Sequence, residues 1–211
     1  MHKLLAEYIS GEKTKPRIEL DYLVGFSEEA PLYQAPNKKV YEGYFSDGLN
    51  YIRNIGELEH HIRAVEKEVN FQVGQFKVIG FIDVEADGEN GVVIADHKSR
   101  KLVPKTGRAK KTKSDLELDE YFKQLYLYAE AIFQETGVYP DKLAINSFRN
   151  GNVLIEDFDP NTKDDVLKWF HGQIDEIENC DDFPPSVEYF KCRYLCDVNQ
   201  ECEYFNLNAN K

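Results

Sequence analysis

The sequence of 211 residues and 24.5 kDa is long enough for one compact domain with its own core and short for two. Its composition, 42% hydrophobic and 30% charged, is typical of a globular protein, and no apolar run approaches the about 18–20 residues that span a bilayer. A formal net charge of −12 argues against a general polyanion-binding surface, although carboxylates gathered around a divalent metal attract phosphate once the metal is bound.

The N-terminal third predicts helices and connecting segments. Residues 1–10 have the pattern of a short amphipathic helix that ends at Gly11, and they lack the apolar core and cleavage site of a signal peptide. We therefore expect a cytoplasmic protein that does not contact the membrane. A polar stretch with several prolines follows, and apolar residues at three- and four-residue steps then predict a helix from Asp47 to about Glu66.

Three strands are predicted next, at residues 68–73, 77–85 and 91–99. The turn sequence DGENG, residues 87–91, lies between the last two strands and predicts a hairpin. With the turn centred between residues 89 and 90, facing residues have numbers that sum to 179. Asp83 then faces Asp96, and Lys98 shares a face with Asp96 because the two residues are two apart on one strand.

This pairing gathers two carboxylates and one ammonium group on one side of a sheet. Two facing aspartates repel each other unless a cation lies between them. Oxygen ligands suit Mg²⁺ or Mn²⁺, and such an ion lowers the pKa of a water nucleophile and neutralises phosphate charge. Lys98 would orient the water, assist its deprotonation or stabilise charge on phosphorus. The alternative is that Lys98 forms a surface ion pair with one of the two aspartates at the rim of the sheet.

The second half of the chain predicts a long helix, a hairpin and a last helix. The segments are residues 115–135, residues 143–148 with 153–158, and residues 164–178. Gln124 and Tyr128 are four apart on the first of these helices and therefore share a face. Strands interleaved with long helices indicate a mixed α/β sandwich.

A basic segment precedes the long helix. Residues 98–113, KSRKLVPKTGRAKKTK, contain no acid, which is typical of a loop that contacts phosphates, and we expect the loop to be mobile in the absence of DNA. The alternative is a solvated charge run. The candidate DNA-binding residues are Arg100, Lys101, Lys105, Arg108, Lys110, Lys111 and Lys113.

Four cysteines, Cys180, Cys192, Cys196 and Cys202, all lie in the last 32 residues. A cytosolic protein has little use for disulfides, so clustered thiols point to a bound metal. The cysteines define a C-terminal segment at about residues 180–205.

The sequence resembles a known nuclease family. Residues 80–83 (GFID) and 94–98 (IADHK) resemble the catalytic core of the PD-(D/E)XK nucleases, and are most similar to the RecB-like branch. That branch includes the nuclease domains of RecB and AddB and the CRISPR-associated RecB-like exonucleases. Gln124 and Tyr128 resemble the QxxxY helix of the branch, and His2 resembles its N-terminal metal-binding histidine.

The resemblance implies a fold and a set of roles. We expect a single nuclease domain over residues 1–211, with a restriction-endonuclease-like α/β fold in which helices flank a mixed central sheet. Asp83 and Asp96 would ligate Mg²⁺ or Mn²⁺, with His2 and a backbone carbonyl of the strand that ends at Lys98 as further ligands. Lys98 would be catalytic, and the QxxxY residues would position the substrate or the lysine.

The resemblance also implies a substrate and partners. Members of the branch act as exonucleases on single-stranded DNA or on DNA ends in recombination, repair, phage DNA processing or CRISPR adaptation. The chain contains no GxxxxGK[ST] phosphate-binding loop, so any unwinding requires a helicase or another recombination or CRISPR partner. We expect the protein in a bacterial, archaeal or phage-infected cell.

The C-terminal cysteines resemble the ligands of the [4Fe–4S] cluster of the branch. The spacing Cys192-x3-Cys196-x5-Cys202 resembles the terminal trio, although its first interval is one residue longer than usual and no cysteine precedes Cys180. Cys180 is the candidate fourth ligand. The alternatives are that Zn²⁺ occupies the site or that the cysteines bind no metal.

A different class of function stays open on the sequence alone. The chain could be a non-catalytic DNA-binding or assembly module that keeps the fold and uses a metal held by cysteines to bind a partner. The joint presence of Asp83, Asp96 and Lys98 argues against this alternative, because a degenerate member would be expected to lose at least one of them.

Overall fold

The strands of the protein form one mixed sheet. The computed structural model describes residues 1–30, 35–56, 60–183, 185–196 and 198–208. All neighbouring strands are antiparallel except the third and fourth, which are parallel. In their order across the sheet, the strands are β1 (Ile62–Val73), β2 (Phe76–Asp87), β3 (Val92–Lys98), β4 (Lys142–Ser147) and β5 (Asn152–Asp157).

Helices flank this sheet, as the sequence predicts. In the described ranges they are α1 (His2–Ile9), α2 (Lys15–Glu29), α3 (Lys38–Asn54), α4 (Lys113–Thr136), α5 (Pro160–Glu178), α6 (Tyr189–Tyr194) and α7 (Glu203–Asn208). None of the helices in these ranges has the length and apolar character that crossing a bilayer requires.

Helix α4 is the crossover between the two parallel strands, because a parallel pair cannot be joined by a tight turn. Thr112 caps its N-terminus through a reciprocal pair of hydrogen bonds with Asp115, and Gly137 ends it in a left-handed conformation with φ of 77°. Its buried face includes Leu125 and Ile132 and packs against the central strands. The predicted helix is confirmed over its whole length.

The opposite face of the sheet carries the N-terminal helix. Leu5 and Ile9 of α1 pack against Val84 and Ala86 of β2 and against Phe148, which follows β4. The short amphipathic helix predicted from the sequence is confirmed. Its packing brings the first residues of the chain to the place where β2 meets β3.

The hairpin of β2 and β3 has the predicted register. Val84 pairs with Ala95 and Asp87 pairs with Val92, so the numbers of facing residues sum to 179. The ladder stops one residue before Asp83 and Asp96. The two aspartates therefore lie at the point where the paired strands separate, which is where the turn geometry predicts them.

The helix predicted from Asp47 to about Glu66 is wrong at both ends. The side chain of Asn37 caps α3, which begins at Lys38 and ends at Asn54, ahead of Gly56. Ile62 and Val65, which seemed to continue the helical spacing, belong to β1, and Leu58 of the same pattern lies outside the described residues. The apolar residues of α3 and β1 together have the spacing of one helix, although they belong to two consecutive elements.

The prediction of a polar connecting segment after residue 11 is also wrong, because helix α2 lies there. Pro16 lies in the first turn of this helix, behind Thr14 as N-cap, where a proline costs no hydrogen bond. The proline therefore marked a helix start and not a loop. Pro31 of the same predicted stretch lies outside the described residues.

Candidate active site

The site begins where β2 and β3 separate. The backbone N–H of His97 donates a hydrogen bond of 2.6 Å to Oδ2 of Asp83. Asp96 is buried, with 4% of its surface exposed, and the Asp83 side chain is 12% exposed. The structure thus places both predicted carboxylates at the end of the hairpin, largely sheltered from solvent.

Lys98 connects this strand to helix α4. Its Nζ lies 2.6 Å from Oδ2 of Asp96 as an ion pair and donates a hydrogen bond of 3.0 Å to Oε1 of Gln124. The amide of Gln124 in turn donates to the hydroxyl of Tyr128 at 2.9 Å. The lysine also lies 4.8 Å from the centre of the Tyr121 ring. The predicted lysine, glutamine and tyrosine therefore form one connected chain of contacts.

Gly80, the first residue of the GFID motif, makes room for this chain. A Cβ atom at this position would lie 2.5 Å from Cε1 of Tyr128. The sequence identified the glycine as part of a pattern but gave no reason for it. The reason is the close approach of the Tyr128 ring to the backbone of β2.

The carboxylates of the site influence one another. Burial raises the pKa of Asp96, the ammonium of Lys98 opposes that rise, and the charge of Asp83 adds to it. Burial also raises the pKa of Glu66 on β1, and the charges of Asp83 and Asp96 raise it further. Glu66 is thus electrostatically coupled to the two aspartates.

His2 lies beside Asp83, as the sequence predicts. Its Nδ1 is 3.8 Å from Oδ2 of Asp83. Its ring packs edge-on against His97 and Phe148, at centroid distances of 6.0 and 5.7 Å. These ring contacts, together with the burial of α1, hold a residue near the chain start next to the carboxylates.

His97, between the two charged residues of β3, was not singled out by the sequence. It is 5% exposed, and its Nδ1 lies 2.9 Å from the amide nitrogen of Asn146, which donates to the hydroxyl of Tyr51 at 2.7 Å. Burial lowers the pKa of His97 to about 4, and His2 adds to that effect, so the ring is neutral at pH 7. Its place inside the IADHK motif was the only signal in the sequence.

The donors at this site suit a hard divalent cation. Oδ2 of Asp96 is buried and accepts no hydrogen bond of good geometry from the described residues, so its one polar contact there is the Lys98 ion pair. Among the residues that the structure describes, however, no three His, Cys, Asp or Glu side chains form a group that could hold a metal ion. Asp83 and Asp96 are therefore the two oxygen-bearing side chains of the described residues that would hold such an ion.

The basic segment is more constrained than the sequence predicts. Leu102 is buried, and its N–H donates to the hydroxyl of Ser147 at 3.2 Å. Four of the seven predicted DNA-binding cations contact acids: Arg100 pairs with Glu117, Lys101 with Asp47, Lys105 with Asp119 and Glu156, and Lys111 with Asp119. Arg108, Lys110 and Lys113 are exposed and form no ion pair with a described residue. These contacts tie down a segment that we expected to be mobile.

The cysteine segment does not form the predicted metal site in the described residues. All four cysteines are free, half-buried thiols. Cys192 lies in α6, Cys196 follows that helix, and the thiol of Cys180 donates to the carbonyl of Asp182 at 2.8 Å. The described residues thus hold four free thiols and no group of three metal-ligating side chains, and the cluster or zinc site stays a prediction.

Comparisons with known proteins show the family and the fold of the chain. The model of the PD-(D/E)XK nuclease superfamily matches residues 1–203. A crystal structure from Eubacterium rectale named "Putative exonuclease" is similar, with a TM-score of 0.51 and 14% sequence identity, over 94% of this chain and 81% of that one. This similarity confirms the restriction-endonuclease-like fold. The comparison with curated proteins found no match.

Replacing Gly80 tests the packing beneath Gln124. We expect Gly80→Ala to displace the Tyr128 ring and to lower the free energy of unfolding by about 1–3 kcal/mol, the usual cost of overpacking. Gly172→Ala is the matched control, because a Cβ at that helical position meets no atom within 4 Å. Urea denaturation measures both variants, and a Gly80→Ala protein as stable as the wild type would contradict this account of the motif.

Proposed function

Because the chain belongs to the PD-(D/E)XK nuclease superfamily, we propose that it hydrolyses DNA phosphodiesters with the aid of Mg²⁺ or Mn²⁺ at Asp83, Asp96 and Lys98. The observation that carries this proposal is the position of Lys98. Its ammonium contacts the buried Asp96 and is oriented by Gln124, beside a second carboxylate. A buried ion pair usually costs free energy of folding. A catalytic role explains why this pair is present, whereas a non-catalytic module has no need of it.

Hydrolysis adds the oxygen of one water molecule to phosphorus and releases one bridging oxygen with a proton. Asp83 and Asp96 would hold a divalent cation, which would supply charge neutralisation at the phosphate and a lower pKa for the attacking water. Lys98 stabilises the negative charge that develops on the phosphate oxygens. Gln124 and Tyr128 act on the lysine, because their hydrogen bonds fix the direction of its ammonium group.

We also propose that the protein is an exonuclease of the RecB-like branch that acts on single strands or DNA ends. The position of His2 beside Asp83 and the contact between Gln124 and Lys98 support this assignment. The exposed Phe81 supports the preference for single strands. It lies two residues before Asp83 on β2 and offers an exposed ring on which an unpaired base can stack. A helicase or another recombination or CRISPR protein would provide the unwound strand.

Substitution at the two charged residues of β3 tests the assignment of the active site. We expect Asp96→Ala and Lys98→Ala each to slow metal-dependent cleavage by about 10²-fold or more, while DNA binding changes little, because both groups act mainly on the transition state. The assay uses labelled single- and double-stranded DNA with Mg²⁺, Mn²⁺ or EDTA. Lys142→Ala, which removes a lysine that pairs with Asp157 at the other end of β4 from Lys98, is the control and should cleave normally. Wild-type cleavage by either β3 variant would show that the chemistry occurs elsewhere.

Neutralising the unpaired cations tests DNA binding by the basic segment. Replacing Arg108 and Lys110 by Gln should weaken DNA binding and reduce the slope of log K against log salt by about 0.7–0.9 for each lost phosphate contact. Replacing Lys105 and Lys111, which acids already neutralise, should change the slope less. Equal slopes for the wild type and the Arg108/Lys110 variant would identify the segment as a solvated charge run.

A further inference from the structure

A cavity of about 360 Å³ lies between helix α3 and the turn that joins β4 to β5. Its volume is within the range of about 300–1,000 Å³ that is usual for cavities that hold small ligands. Both elements contribute to its wall: Asp47, Asn50 and Tyr51 from α3, and Phe148 and Arg149 from the turn. The sequence alone gave no reason to single out any of these residues.

Phe148 connects the cavity to the proposed active site. Its ring packs edge-on against the rings of His2 and Tyr51, at centroid distances of 5.7 and 6.2 Å. Its backbone N–H donates a hydrogen bond of 3.3 Å to the carbonyl of Lys98. A DNA strand with one phosphate at Lys98 therefore has a neighbouring nucleotide close to this cavity.

Two cations share one carboxylate at the wall of the cavity. Nε and Nη2 of Arg149 donate to Oδ2 of Asp47 at 3.1 and 2.8 Å, and Nζ of Lys101 lies 3.0 Å from the same oxygen. In the described part of the chain, Asp47 is the one acidic residue that lines the cavity. Positive charge is therefore in local excess here, on a protein whose net charge is −12, and this excess favours an anion.

The guanidinium group of Arg149 is already fixed in position. Its side chain is 17% exposed, and Cζ lies 3.8 Å from the centre of the Tyr44 ring. Because Nε and Nη2 are directed at Asp47, the remaining nitrogen, Nη1, donates to no described residue. A guanidinium that is held in place and keeps free N–H groups binds phosphate oxygens at a small cost in conformational entropy.

We propose that Arg149 binds a phosphate of the DNA strand that is cut and that the cavity beside it accommodates the adjoining nucleotide. The proposal rests on the nuclease function proposed above. The exposed side chain of Asn50 forms no hydrogen bond with a described residue. Its amide therefore offers both a donor and an acceptor to the edge of a base. If the ion pair only fastened α3 to the turn, Arg149 and Asp47 would be equally important to it, and substitution of each partner separates the two roles.

Fluorescence anisotropy of a labelled oligothymidylate in EDTA tests the proposal without relying on cleavage. Arg149→Gln should weaken binding about tenfold or more, because it removes a charged hydrogen bond to phosphate. It should also reduce the slope of log K against log salt by about 0.7. Asp47→Asn should tighten binding on the order of fivefold, because it removes the carboxylate that competes with phosphate for the two cations. Arg53→Gln is the matched control, since it breaks the ion pair of another arginine, with Glu19, away from the cavity, and it should bind DNA like the wild type.

The direction of the two changes decides the outcome. Arg149→Gln and Asp47→Asn break the same ion pair, so similar melting temperatures with opposite changes in DNA affinity would support the proposal. Equal losses of affinity in both variants, or wild-type affinity in both, would overturn it. A loss in Arg53→Gln as large as in Arg149→Gln would also overturn it, because it would indicate a general effect of charge.

The nuclease function fails in a different way. If the wild type binds the oligonucleotide but does not cleave DNA with Mg²⁺ or Mn²⁺, the nuclease function is wrong and the result for Arg149 still decides whether the cavity binds DNA. A wild type that binds no DNA would overturn both proposals.

Discussion

The parallel pairing of β3 with β4 is the constraint on which the site depends. A parallel pair forces the chain to cross the sheet between its strands, and α4 makes that crossing. The crossing lays Gln124 over the end of β3, where its amide holds the ammonium of Lys98. A hairpin connection at this point would leave the lysine on the strand without the helix that orients it. The parallel pairing of β3 with β4 therefore determines both the topology of the sheet and the contact between Gln124 and Lys98.

Burial and charge oppose each other at the centre of the site. Asp96 and His97 are buried beside Lys98, and burial raises the pKa of the carboxyl while it lowers that of the imidazole. The fold tolerates this because Lys98 offsets the charge of Asp96 and a neutral His97 joins the hydrogen-bonded chain to Asn146. The backbone N–H of the same histidine binds Asp83.

The sequence predicted those parts of the site that depend on local spacing. The Asp-Gly turn determined the hairpin register, and the register placed Asp83 and Asp96 together. Four-residue spacing likewise put Gln124 and Tyr128 on one face of α4, where they contact each other. The fit of Gly80 against Tyr128 depends on the approach of a helix to a strand from 40 or more residues away in the chain, and no short pattern contains that information.

Other features were lost because the sequence gave a misleading local signal. The helix predicted from Asp47 to about Glu66 joined two elements, since the apolar residues of α3 and β1 happened to continue one period. The cysteines are close in sequence, and in the described segment they are free thiols that do not form a group of three ligands, so their metal site stays a prediction. The basic segment looked unpaired because its acidic partners, such as Asp47 and Asp119, come from other elements.

The central claim is that Asp83 and Asp96 hold a divalent cation next to Lys98. Anomalous diffraction from crystals soaked in MnCl₂ tests it most directly, because Mn²⁺ scatters anomalously and binds the same oxygen ligands as Mg²⁺. The account predicts an anomalous peak at about 2–2.3 Å from oxygens of both aspartates. A crystal of cleavage-competent protein with Mn²⁺ bound at another site, and with both carboxylates free of metal, would contradict it.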